Sequence, residues 1–207
     1  MRQATITADD LETSIEEAVT ALGKGIHKDW SVAAGRVRWS CSKTLFHAAD
    51  DQVAYAGQLA ARAQDDYLPF RLRTVRGTPP AGMLTLLQGL GSLFATTARA
   101  TPDDVRAYHP HGMADASGFL AMGVAEVLLH THDVAQGLGL AYDPDPDTCA
   151  RVIARLHRDL EPHDDPWQLL LWATGRGDLP HRQPVRRWRW LPAPEDERDE
   201  HQQPAEH

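Results

Sequence analysis

Hydrophobic side chains recur along this chain at helical rather than strand spacing. Leu11, Ile15, Ala18, Val19 and Leu22 fall three and four apart behind a run of capping residues, Thr7 to Asp10, which predicts a first helix over 8–25. A second, over 40–64, starts at Ser40, whose hydroxyl can bond a free amide one turn in, and sets Leu45, Ala49, Val53, Ala56 and Ala60 on one side. Tyr67 to Pro80 holds three prolines, a glycine and the alternating pair Phe70 and Leu72, so it reads as a long extended crossover with room for a short strand. Pro80 then opens a third helix to about 99, whose glycines imply close packing.

The fourth helix, over 115–137, carries most of the chemistry. Asp115 or Ser117 caps it and Gly137 and Gly139 end it. Its apolar residues surround almost the whole circumference, as expected of a helix enclosed by others. A turn-rich stretch, Asp143 to Asp147, leads to a fifth helix marked by Val152, Ile153 and Leu156, and Asp165-Pro166 opens a sixth through Thr174. The fold class is therefore all-α: a bundle with a long crossover and additional C-terminal helices. Residues 1–180 are expected to form the helical bundle domain, and 181–207 an extension ordered to about 190, with a disordered acidic tail from Pro192.

Composition narrows the partners. A net charge of −8 opposes attraction to phosphate backbones, so nucleic acid is not expected. No stretch reaches the ~18 apolar residues that span a bilayer, and the first thirty residues hold no leader-like run, so neither membrane nor export is expected. Two cysteines, Cys41 and Cys149, are too few for a disulfide framework. The expectation is a cytoplasmic protein, for which monomer and homodimer both fit.

Counting 100° per residue from Glu126, the positions within about 60° are Phe119, Met122, Gly123, Leu129, His130, Asp133, Gly137 and Leu140. Three polar groups thus share an apolar stripe. A lone buried carboxylate costs several kcal/mol or takes up a proton, so Glu126 needs a partner. Glu126 and His130 stand four apart, about 6 Å along the axis, a spacing able to grip one ion; hydrogen bonding between the two is the alternative. Asp133 one turn on can accept the second ring N–H of His130 and fix its tautomer. His47 lies opposite the apolar face of its helix and by default is solvated, although Asp51, four residues on, can orient its ring. His132 points about 120° from Glu126 and reads as structural. His109 and His111 precede the fourth helix and either line a pocket mouth, carry protons or are simply solvated. Cys41 reads as inert packing rather than as a nucleophile. Arg186, Arg187 and Arg189 with Trp188 and Trp190 either bind an anion or pin the tail to the bundle.

Trp39-Ser40-Cys41, Leu45, His47 and Asp50-Asp51, followed by Ala125-Glu126-Val127-Leu128-Leu129-His130 and Asp133, resemble the DinB-like superfamily. The closer resemblance is to the N-terminal domain of mycothiol-dependent maleylpyruvate isomerases; Pro166-Trp167, Leu170 through Arg176 and Trp188-Arg189-Trp190 are similar to the ending of actinobacterial members. The resemblance implies a DinB-like four-helix bundle and a divalent metal on His47, Glu126 and His130. Three ligands and an open position are the pattern of catalytic zinc. A small thiol, mycothiol by resemblance, would be activated there for transfer to, or isomerisation of, an electrophilic small molecule; a non-catalytic metal- or small-molecule-binding bundle is the alternative. The isomerases carry a further C-terminal domain where this chain has a short ending, so maleylpyruvate isomerisation itself is not implied. An aromatic residue found before the aspartate in many relatives is replaced here by His132.

Overall fold

The computed structural model describes residues 5–197 and is all-α. Helix α1 (Ala8–Gly23) opens with a capping box in which Thr7 Oγ1 accepts the Asp10 N–H and Asp10 accepts the Thr7 N–H; such a cap contributes about 1 kcal/mol. Helices α2 (Cys41–Ala61) and α4 (Ala116–Leu138) are capped by Ser40 and Asp115, as their sequences predict. Helix α3 (Pro80–Ala100) starts on proline, and α5 (Pro146–Leu156) and α6 (Pro166–Ala173) start on Asp-Pro. Helices α1 and α2 each pack against both α3 and α4, and α5 packs on α4 and carries α6. The core formed between them includes Leu11, Leu22, Leu45, Leu87, Phe94, Phe119 and Leu128. No helix among the described residues is long and apolar enough to cross a membrane.

Helix α4 is the axis of the molecule, and every residue from Gly118 to Thr131 is buried. Two close approaches set its register against α2. A Cβ on Gly123 would stand 2.9 Å from Gln52 Oε1, and one on Gly137 would stand 2.7 Å from Cys41 Sγ and 2.4 Å from the Ala33 carbonyl. The two helices therefore run antiparallel, pairing the start of α2 with the end of α4. His47 falls between Cys41 and Gln52, just as Glu126 and His130 fall between Gly123 and Gly137.

Several expectations need correction. Gly137 does not end α4; it lies inside the helix where a loop crosses, and Gly139, in the left-handed conformation at φ 62°, is the terminator. Of the α3 glycines, Gly91 is a close approach, 2.0 Å from Ile15 Cδ1 for an added Cβ, whereas Gly89 has nothing within 4 Å. The crossover forms no strand, because Phe70 is exposed and no neighbouring strand is there to pair with it; among the described residues the only bridges are Ala33 with Ser40 and Ala107 with Ala114. Its start is held by buried Gln58, whose amide donates to the Asp66 and Tyr108 carbonyls and accepts the Leu68 N–H.

The expected disorder from Pro192 is also corrected as far as Glu197. Arg155 donates to the carbonyls of Leu191, Pro192 and Ala193, Arg158 donates to that of Ala193, and Arg106 pairs with Glu197. The rest of the expected tail, 198–207, lies outside the described residues.

Candidate metal centre

Burial of α4 takes Glu126 and His130 out of water, to 8% and 6% exposure. His130 Nε2 stands 2.9 Å from Glu126 Oε2, and its Nδ1 stands 3.2 Å from Asp133 Oδ2. With Nδ1–H given to Asp133, Nε2 faces the Glu126 carboxylate, and loss of the Nε2 proton would leave the tautomer a metal ligand needs. Asp133, only 1% exposed, in turn accepts Arg176 Nε at 3.1 and 3.2 Å and pairs with Nη2 at 3.0 Å.

Helix α2 delivers His47 to the same place, its ring centroid 5.1 Å from that of His130. Donor atoms of His47, Glu126 and His130 all lie within 4.8 Å of one another, and the three form a group able to hold a metal ion. Bonds of about 2.0–2.2 Å from one ion to three such donors need only small side-chain rotations from that spread. The sequence pattern put His47 on the solvated side of α2, but Thr44, Tyr55 and Gln58 are buried too and carry the covered arc of the helix round to it. Asp51, expected to orient the ring, stands with Oδ2 3.4 Å from its Nε2.

The electrostatics favour positive charge at this point. Burial by itself would push the His130 ring down, but hydrogen bonds with Asp133 and Glu126 outweigh it and hold the ring up at about 9. Burial raises the Glu126 carboxyl, and contact with His130, aided by His47 and Arg176, more than reverses this. Glu126 and His130 are thus an anion and a cation sharing a proton-bearing contact, and a metal ion would replace that proton. His47 is pushed down by burial and so is ready to coordinate as the neutral ring, while burial and the Glu126 charge push Asp51 well up.

The three residues open on a cleft of about 250 Å³ walled by Val37, Trp39, Leu129 and Trp188, with Arg38 and Arg176 in its lining. Trp39 stands edge-on to His47 at 5.0 Å, and Lys43 Nζ lies 4.6 Å over the Trp39 ring. A roomier groove of about 460 Å³, beside Glu17 and Tyr142, contains no such ligand set.

In the sequence Arg176 and Trp39 stand only within motifs and Trp188 within the anion-binding or tail-pinning segment, whereas the structure sets all three on the cleft. Arg176 lies 43 residues beyond Asp133, and no helical periodicity links them. The signal that was available is the Gly175-Arg176 pair after α6: Gly175 at φ 71° turns the chain and the Arg176 N–H returns to the Leu171 carbonyl.

The other candidates stay outside. His109 is buried rather than solvated, and its Nδ1 accepts the His111 N–H at 3.2 Å. Burial, with His111 nearby, pushes it down to about 4, so its ring is uncharged at neutral pH, and neither it nor exposed His111 lines the cleft. His132 packs edge-on to Trp167 at 5.4 Å, the structural role its direction predicts. The Cys41 thiol is fully buried against the Val134 carbonyl and is pushed up by that burial, which leaves it inert as a nucleophile. Compared with known proteins, the chain matches no family model, no curated protein and no solved structure.

Proposed function

We propose that this protein is a metal-dependent enzyme that activates a small thiol, mycothiol or a close analogue, for transfer to, or isomerisation of, an electrophilic small molecule. The observation that carries the proposal is the convergence of His47, Glu126 and His130 on the wall of a cleft, three donors of zinc-site type with one side open to ligand. Within it, the bundle belongs with the DinB-like superfamily and zinc is the preferred ion. The cell compartment is the cytoplasm, where Cys41 and Cys149 stay reduced.

A divalent ion in this position would lower the pKa of a thiol or water that completes its coordination. The chain's own residues do the rest. Asp133 holds the Nδ1 proton of His130 and keeps Nε2 directed at the cleft, and Arg176 neutralises Asp133 while its guanidinium lines the cavity, where it can meet a carboxylate or an enolate-like oxygen. Trp39, Trp188, Leu129 and Val37 give the cleft apolar walls that shed water from a reacting thiol and strengthen each charge interaction inside.

A second reading, a non-catalytic bundle that binds metal or a small molecule, is favoured by the 2.9 Å contact that already satisfies Glu126 with His130. Turnover separates the two. Metal-loaded, untagged protein is incubated with mycothiol and a panel of epoxides, activated alkenes and esters, and free thiol is followed. Metal-dependent thiol loss that His130→Ala abolishes supports the enzyme. Metal bound with no thiol loss across the panel favours the binding protein, and ester cleavage without thiol shows hydrolysis instead.

A further inference from the structure

Beyond α6 the chain returns across the C-terminal end of α5 and encloses a second hollow. The Leu191 N–H donates to the Leu156 carbonyl, and buried Trp190 stands edge-on to His157 at 5.4 Å between ring centroids. Trp188 in turn stands edge-on to Trp190 at 4.6 Å. This ladder leaves a cavity of about 240 Å³ with Trp172, Trp188, Leu160 and Leu191 among its walls. Drug-sized pockets run to about 300–1,000 Å³, so this one suits a single ring with a small substituent.

Four observations point to its occupant. Arg187 lines the cavity, is exposed, and has no hydrogen-bond or ion-pair partner among the described residues. Arg189 and Asp159 share the lining, so the cavity carries a surplus of positive charge on a chain whose net charge is −8. His157, 8% exposed, also lines it and buries Nε2 without a hydrogen-bond partner, which leaves a polar atom for a ligand to satisfy. Trp188, 39% exposed, offers one of the larger uncovered apolar surfaces of the molecule and walls the metal cleft as well. Indole faces take up aromatic rings, and a guanidinium matches a carboxylate in two-point geometry.

We infer that this cavity is a binding site for a small aromatic carboxylate, its ring against the tryptophan walls and its carboxylate on Arg187. The site needs no metal and is independent of the thiol chemistry above.

Calorimetric titration of the full chain with benzoate and 3-methylbenzoate tests it, in metal-free and metal-loaded protein, with the matching amides as neutral controls. The expected result is one saturable site in both forms, weakened about tenfold or more by amide replacement and by Arg187→Gln, and unchanged by His130→Ala. Arg187 is exposed, so its replacement leaves folding intact. Absence of binding at millimolar ligand overturns the assignment. So does binding that Arg187→Gln leaves untouched, or binding that disappears with the metal or with His130→Ala, which would place the carboxylate on the ion.

Discussion

Replacing Asp133 by asparagine keeps the shape of the candidate metal site and removes the charge behind it. The wild-type carboxylate, 1% exposed, serves both His130 Nδ1 at 3.2 Å and the Arg176 guanidinium, whose side chain is itself only 11% exposed. Removing one member of a buried ion pair costs about 3–5 kcal/mol, and an asparagine oxygen that still accepts one hydrogen bond puts the loss near the lower figure, about 3 kcal/mol. The second effect falls on the ligand. Without a carboxylate to hold Nδ1–H, metal affinity drops about 10–100-fold, the usual cost of losing a partner behind a ligating histidine. Free metal at 100 times the wild-type Kd stabilises the fold by about 2.7 kcal/mol; a variant with thirtyfold weaker affinity keeps about 0.9 kcal/mol of that. Urea unfolding with and without buffered free metal reads both effects separately. A lower metal-free stability with an unchanged gap between the two curves would refute the claim that Asp133 tunes the ligand, and two unchanged curves would refute the buried relay altogether.

Metal binding at pH 7 should release about one proton, because His130 is held up at about 9 and must lose its proton to coordinate; calorimetry in buffers of different ionisation enthalpy counts it, and apparent affinity should climb with pH up to about 9. In the metal-free protein the same raised value gives stability that is complete below 6.5 and lost as pH rises through about 9. His109 and His157 behave oppositely: both are pushed from 6.5 to about 4, so the stability they lend is present above 6.5 and lost as pH falls through 4. Each is worth on the order of 3 kcal/mol over that window, and urea midpoints measured from pH 7 to 4 should fall steeply, with His157→Phe removing part of the fall. Gly137→Ala should cost about 1–3 kcal/mol, seen as a lower Tm, since its Cβ would meet the Ala33 carbonyl at 2.4 Å, whereas Gly89→Ala, with nothing within 4 Å, should stabilise by up to about 1 kcal/mol.

Local chemistry was legible in the sequence wherever one helix contains all the parts. Thr7, Ser40 and Asp115 cap where their spacing predicts, and Glu126, His130 and Asp133 meet because a single helix sets their geometry. His47 was not legible from hydrophobicity. The residues that extend the buried arc of α2 toward it include Thr44 and Gln58, which a pattern of apolar positions counts as surface. Gly137 departs from its sequence signal for a related reason: a glycine near a helix end signals termination, but here a loop crosses at that point and the helix runs on to Leu138. The ordered stretch from Pro192 to Glu197 is held by arginines gripping backbone carbonyls and by Arg106 on Glu197, interactions that leave no apolar periodicity behind. Arg176 reaches Asp133 through tertiary folding alone, so only the completed fold shows it beside the candidate site.

The central claim is that His47, Glu126 and His130 together bind one divalent ion. X-ray absorption at the metal edge of purified, untagged protein, with metal content measured on the same sample, tests it most directly. The account predicts roughly one ion per chain, with two imidazoles, one carboxylate and an exchangeable light-atom ligand at about 2.0–2.2 Å, lost in both His47→Ala and Glu126→Gln. Protein that takes up no stoichiometric ion, or that binds one with cysteine sulfur in its shell or with His47 dispensable, would contradict it.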